Sequence, residues 1–337
     1  MRRGAILALG LGIAAMAAML VYAGAGAVGR AIAQLGSVGL IAISLLHLPV
    51  VALMGLAWWL VTGTPRSAPL TRVLWARLVR DAGAEVLPFS QLGGFVLGLR
   101  ALGPRAIDAI QGAASMLVDL VIELAAKLPY VLAGLLLLIA LAPHSRVAQP
   151  LLIAFALTAV VLAVPLCARG LLQRLIARMA RAASHRWAPA RALAASRGRG
   201  EFQRALARSV RARTGLSAGL LLHVLCWFLG ALELWVTFRL LGRTLSAPQA
   251  LAIDSAVAGL RTFGFLVPAA AGVQEASYLL ACAVFGLPPA LAIAASLARR
   301  GRDLLLGILT LAAGLSADRS LSIAPLVRPG ERERRER

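Results

Sequence analysis

Six residues between positions 108 and 127 are spaced as one face of a helix. Asp108, Gly112, Ser115, Asp119, Glu123 and Lys127 follow one another at four, three, four, four and four residues, the spacing that stacks side chains on a single face. At 1.5 Å per residue the stripe runs roughly 28 Å, nearly the thickness of a hydrocarbon core. Carried on an otherwise apolar helix, it should face a polar groove. The structural alternative is that Glu123 and Lys127 pair internally and Asp119 bonds a neighbouring helix. A second set lies near the end of the chain, where Ser296, Arg300, Asp303 and Gly307 share a face, Arg299 can reach Asp303, and Arg302 lies beside them. Guanidinium forks bind phosphate with two parallel hydrogen bonds; the alternative is an interfacial arginine cluster neutralised by Asp303. Glu275, just past Gly272, stands where an opened helix would present a carboxylate, and Arg80 and Arg261 are candidate partners for these acids.

These charges matter because of what surrounds them. The chain is 337 residues, 60% hydrophobic and only 15% charged, with a mean hydropathy of +0.83, far from the composition of a soluble domain. Uncharged runs occupy 4–29, 38–63, 130–142, 151–168, 214–231 and 304–317, and several approach the roughly 20 residues that cross a bilayer. Backbone groups in lipid must bond within their own segment. Continuous runs therefore predict helices, and alternating barrel strands are excluded. Nine of the fourteen acidic residues lie in or beside apolar segments of the chain, where each needs a partner, a cavity or neutralisation.

The net charge of +21 is almost all arginine, Lys127 being the only lysine. The arginines flank hydrophobic spans and no nucleic-acid motif accompanies them, so they read as topology signals. Arg2 and Arg3, the group Arg66, Arg72, Arg77 and Arg80, the basic stretch 169–213 and the charged tail 318–337 all fall on the cytoplasmic side by this rule. In 169–213, Leu171, Leu172, Leu175, Ile176 and Met179 share one face, with Arg174, Arg178 and Arg181 opposite. Phe202, Leu206 and Val210 repeat the pattern beside Arg204, Arg208 and Arg211. Both read as helices lying in the membrane interface, whether as topology anchors or as headgroup-recruiting surfaces.

Two segments are not plain spans. The segment 80–103 carries Asp81, Glu85, Pro88, Gln91, Gly93 and Gly94; the segment 261–286 carries Pro268, Gly272, Gln274 and Glu275. Proline and glycine interrupt both, and interrupted segments at matching places in two halves point to a transport site. Arg80 precedes Leu87-Pro88 as Arg261 precedes Val267-Pro268, Gly93 follows the first proline as Gly272 follows the second, and Ala114-Ser115 leads to Asp119 as Ala295-Ser296 leads to Asp303. The expectation is an all-α polytopic helix bundle with two discontinuous or re-entrant segments in an inverted repeat. Its first half is 1–168 and its second is 214–317. Between 80 and 168, either the first broken segment crosses fully or two apolar stretches form one bent crossing.

Other features have plainer readings. Gly94 and Gly98 allow close helix approach. Trp58, Trp59 and Trp75 read as interfacial anchors, and His223 and Glu233 as packed, bonded residues. Cys167, Cys226 and Cys282 lack metal or disulfide spacing. No phosphate loop, nucleophile elbow or metal motif occurs, so no cofactor, metal ligand or catalytic residue is expected.

Arg80, Leu87-Pro88-Phe89, Gly93-Gly94, Arg100-Ala101 and Asp119, followed by Pro268, Gly272-Val273-Gln274-Glu275, Arg300 and Asp303, resemble the flippase-type transmembrane domain of lysylphosphatidylglycerol synthases. Within that superfamily the chain is most similar to stand-alone, hopanoid-biosynthesis-associated membrane proteins. One departure is Ala269–Glu275, which reads Ala-Ala-Ala-Gly-Val-Gln-Glu where relatives carry a glycine-rich turn. The resemblance implies a multi-pass protein of the bacterial inner membrane, with both termini cytoplasmic, that handles an anionic phospholipid or a hopanoid. The soluble aminoacyl-transfer domain of the synthases is not expected. Three functions follow: a lipid transporter or flippase, an intramembrane lipid-modifying enzyme using Asp119, Glu123 or Glu275, and a scaffold for hopanoid-pathway proteins.

Overall fold

The computed structural model describes residues 14–63, 69–86, 90–103, 107–167, 196–266 and 272–317. The apolar runs become helices: α1 (Ala14–Ala23), α2 (Ala25–Leu60), α3 (Leu70–Val86), α4 (Ser90–Leu102), α5 (Ala109–Leu141) and α6 (Ala148–Cys167). After these come α7 (Ser196–Arg211), α8 (Arg213–Leu240), α9 (Ala247–Leu260), a 3-10 turn at Arg261–Leu266, α10 (Val273–Ala283) and α11 (Pro289–Ala317). No strand occurs among the described residues. The helices α2, α5 and α8 are each long and apolar enough to cross a membrane. Large apolar side chains such as Val38, Leu45, Leu136, Leu221 and Ile308 stand exposed on the outside, the surface a lipid solvent covers. This is a helical membrane bundle.

The 106–142 region resolves one expectation. Residues 109–141 of it are a single helix, α5, with Pro129 inside it, so two apolar stretches join in one helix long enough to cross. Asp108 leaves the polar stripe: it is exposed and caps α5, accepting from the backbone N–H of Ile110 at 3.0 Å and of Gln111 at 3.3 Å. An aspartate with free donors ahead of it on a helix start does this by default.

The short helices pack as hairpins. In α3 and α4, Gly83 faces Gly94, and a methyl at Gly94 would lie 2.3 Å from the Arg80 carbonyl oxygen; Gly98 meets Arg80 and Ala76 in turn, so the two run antiparallel. At 13 residues, α4 covers about 20 Å, short of the hydrocarbon core. The second-half pair is similarly short, 14 residues in α9 and 11 in α10.

The packing follows a two-fold exchange. The α5 helix of the first half packs on α8 and α9 of the second, while α11 of the second packs on α2 and α3 of the first. The axis lies at the α2–α8 contact, whose helices run antiparallel: Leu60 meets Gly215, Ala57 meets Gly219, and His47 meets Glu233. Two equivalent contacts, Asp119 with His223 and Gly301 with Leu40, are related by an offset of about 180 residues, as an inverted repeat requires.

Close packing between the halves is tightest at Gly134, where an added Cβ would lie 1.5 Å from Ser255 Oγ and 2.3 Å from Ser255 Cβ. Gly134→Ala is expected to destabilise the bundle by about 1–3 kcal/mol, the range for overpacking. Adding Ser255→Gly should recover most of the loss, as read by thermal unfolding in detergent.

The basic segment behaves differently from an interfacial helix. Phe202 and Leu206 of α7 pack against α4 and α5, and Arg208 Nε donates to Gln111 Oε1 at 2.9 Å. Gln111 in turn donates to the Thr62 carbonyl at 2.6 Å and to Ser209 Oγ at 3.1 Å. The apolar face expected to lie in lipid is covered by protein, with only Val210 of the three left exposed. The stretch 171–181, the tail 318–337, Pro88 and Pro268 lie outside the described residues, as does the side chain of Gln91.

Candidate functional site

Arg77, Arg80, Asp119 and His223 are buried where α3, α5 and α8 come together, so they turn to each other. Arg80 Nη1 donates to Asp119 Oδ2 at 2.8 Å and Arg77 Nη1 to the same oxygen at 3.1 Å. Both arginines also reach Glu123 Oε2 at 3.3 Å. The other oxygen of Asp119, Oδ1, lies 3.0 Å from His223 Nε2. Arg77 Nε further binds Asp81 Oδ2 at 2.8 Å, one turn along α3. The Asp119 and His223 side chains have no exposure, while Glu123 keeps 20% and Asp81 34%. Below them on the stripe, Ser115 Oγ accepts from Trp58 Nε1 at 3.1 Å.

A second network occupies the other half. Glu275 folds back to accept from the Gly272 backbone N–H at 2.9 Å, where Gly272 has a left-handed φ of 78° that glycine adopts freely. The same carboxylate accepts from Ser296 Oγ at 3.1 Å and from Arg300 Nε at 2.6 Å and Nη2 at 3.2 Å. Gln274 Nε2 closes the ring on Ser296 Oγ at 3.1 Å. The departure from a glycine-rich turn therefore leaves Glu275 anchored. Beside it, Arg299 Nη1 donates to Asp254 Oδ1 at 2.8 Å and to Tyr278 Oη at 3.3 Å, and Tyr130 Oη donates to Asp254 Oδ2 at 2.5 Å.

A third group joins the halves at the axis. Glu233 on α8 pairs with Arg302 of α11 and lies 2.9 Å from His47 Nδ1 on α2, while Arg302 Nε donates to Asp303 at 2.9 Å. Glu85 lies within electrostatic reach of Arg261, Arg300, Arg302 and Asp303, which connects the first broken segment to the second half. Arg100 on α4 is half-buried, and its Nε has no hydrogen-bond partner among the described residues.

The stripe residues Ser115, Asp119, Glu123 and Lys127 do share one side of α5, but they meet other helices and not a groove. Lys127 turns from Glu123 to donate to Thr262 Oγ1 at 2.8 Å, over the Trp227 ring, because both arginines already take Glu123. Arg299 does not bond Asp303; it points to α9, and Arg302 takes Asp303. Trp58 is fully buried and is a packing residue, not an interfacial anchor; Trp59 and Trp75 are partly buried beside the same core. Arg80 does bond the acids it was matched to.

Arg77, His47, Asp254 and Tyr278 are the residues the sequence pattern missed, while His223 and Glu233 are packed and bonded as expected. A signal existed for Asp254: a lone acid in the apolar run 247–260, which membrane depth forces into a partnership. Asp119, Glu123 and His223 bring donor atoms within 4.8 Å of one another, a spacing a cation could use. Arg77 and Arg80 already supply positive charge to both carboxylates, so the geometry is that of an ion-pair cluster.

Residues 6–310 match the family described as the lysylphosphatidylglycerol synthase TM region. The chain belongs to that family. No curated protein and no solved structure matches it. The lysylphosphatidylglycerol synthase transmembrane region is here a lipid-related membrane domain whose two halves carry charge networks of opposite layout. In the first half the arginines sit on the short helix α3 and the acids on the long helix α5. In the second the acids Asp254 and Glu275 sit on short helices and the arginines on long α11.

Proposed function

We propose that the chain is a lipid transporter of the flippase type in the bacterial inner membrane, with both termini cytoplasmic, acting on an anionic phospholipid headgroup. The observation that carries this is the pair of arginine–carboxylate clusters, one in each inverted half, at the contact between the halves. A guanidinium held by a carboxylate can exchange that partner for a phosphate with the same two-pronged geometry. With Asp119 and Glu275 fully buried, the arrangement described is the closed one. Opening would separate a short-helix hairpin from its long helix and present Arg77 and Arg80, or Arg299 and Arg300, to a headgroup while acyl tails stay in the bilayer. The arginines favour a phosphate-bearing lipid over an uncharged hopanoid, whose role would be that of a neighbour lipid or pathway link.

Reconstitution tests this. Vesicles holding the full chain and a fluorescent phosphatidylglycerol should show headgroup movement between leaflets with no change in lipid mass. A new lipid mass would point instead to an intramembrane enzyme. Intact headgroup asymmetry together with loss of partner proteins on deletion of 181–208 would point to a scaffold. Mass spectrometry of co-purifying lipids should find anionic phospholipids in excess over the bulk membrane.

A further inference from the structure

His223 is fully buried midway along α8, and its two ring nitrogens have different surroundings. Nε2 lies 3.0 Å from Asp119 Oδ1, whereas Nδ1 is buried with no hydrogen-bond partner among the described residues. The other oxygen of Asp119 accepts from two guanidinium groups, which holds the carboxylate in its ionised, acceptor-only form. Nε2 therefore carries the ring hydrogen and donates it, leaving the Nδ1 lone pair unengaged. Histidine is the side chain whose ordinary charge change falls near neutral pH.

We propose that His223 is a proton-binding site that couples headgroup movement to a pH gradient, an inference that rests on the lipid-moving reading above. The step is the addition of one proton, taken from water, to the Nδ1 lone pair; no other covalent bond forms or breaks. Glu123, one turn beyond Asp119, keeps one-fifth of its side chain exposed.

The charges around His223 set the consequence. From α5 it meets Asp119 and Glu123, and from α3 come Arg77 and Arg80 on those two carboxylates, with Asp81 behind Arg77; Lys127, a turn beyond Glu123, is held by Thr262 and has Arg261 nearby. With a neutral imidazole, Arg77 and Arg80 balance the two carboxylates next to the ring, Asp119 and Glu123. The remaining elements packed on α8 bring charges that are already engaged. His47 of α2 and Arg302 of α11 are tied to Glu233, Asp254 of α9 to Arg299 and Tyr130, and Arg208 of α7 to Gln111. An imidazolium thus leaves the cluster one positive charge in excess and competes with both arginines for Asp119. Unbalanced charge at membrane depth is costly, and an anionic headgroup neutralises it. Protonation and headgroup entry each favour the other, and the coupling is reciprocal.

The test uses the full chain in phosphatidylcholine vesicles with a fluorescent phosphatidylglycerol and a trapped pH-sensitive dye, with and without an imposed pH difference. The gradient is expected to change the headgroup rate several-fold, with protons moving in step; His223→Gln, or His223→Asn if the first does not fold, should give the same rate in both conditions. Wild-type lipid movement indifferent to the gradient overturns the proton site and leaves the lipid-moving reading standing. Absence of lipid movement in both conditions overturns that reading. The site is then decided by nitrogen-15 NMR of histidine-labelled full chain in nanodiscs: a His223 ring that gains a proton between neutral and acid pH supports it, and one that stays neutral overturns it.

Discussion

Asp119→Ala is expected to destabilise the protein by about 3–5 kcal/mol, the cost of leaving buried charges without their partner, and to abolish headgroup movement. Asp119 is the one carboxylate shared by Arg77, Arg80 and His223, all at most 9% exposed. Glu123 would then face both guanidinium groups, with Asp81 bonded to Arg77 only and no other carboxylate among the described residues bonded to Arg80. The measurement is the unfolding midpoint in detergent, together with the double variant Asp119→Ala/Arg80→Met. Removing one of the orphaned charges and refilling its volume with an apolar chain should return part of the stability while transport stays absent. A single variant as stable as wild type would mean that water reaches the cluster freely and that the buried network does not hold α3 against α5.

Glu275 should show the second large effect, and two substitutions divide it. Glu275→Ala removes both the partner of Arg300 and the acceptor for the Gly272 N–H, so losses of about 3–5 kcal/mol from the ion pair and about 1 kcal/mol from the helix cap are expected. Glu275→Gln keeps an oxygen for the Gly272 N–H, so it should be about 1 kcal/mol less damaging. Both should suppress lipid movement, because both take away the Glu275 carboxylate that Arg300 grips with two nitrogens. Equal stability of the two variants would mean that the cap contributes nothing, and the start of α10 would need another explanation.

Some of this was legible before any contact was known. Arg80, Asp119, Glu123 and Glu275 stood out because an ion in an apolar run has to be satisfied by something, and helical spacing put Ser115, Asp119 and Glu123 on one side of α5. Of the two matched glycines only Gly272 marks a break, starting α10 with a left-handed φ, whereas Gly93 lies inside α4; the offset of about 180 residues recurs in the exchange of packing partners. Other residues gave the wrong impression. Asp108 looked continuous with the stripe because spacing says nothing about where a helix begins. Trp58 looked interfacial because a tryptophan near the end of a span is often an anchor, yet here Ser115 supplies its N–H with a buried acceptor. Lys127 is at the right spacing for Glu123 but loses to two guanidinium groups that arrive from another helix.

Composition and periodicity are local properties, and they alone determined that this chain is a helical membrane protein with two interrupted segments and ionisable groups at depth. Which of those groups meet was decided by tertiary structure. The rotation of α3, α8 and α11 about their axes, set by glycine contacts and by side chains filling the space between helices, chose Arg77 over Lys127 for Glu123, Asp254 over Asp303 for Arg299, and His223 for Asp119. A sequence lists the charges that must be neutralised inside a bilayer; only packing assigns each its partner, because the partners come from helices far apart along the chain.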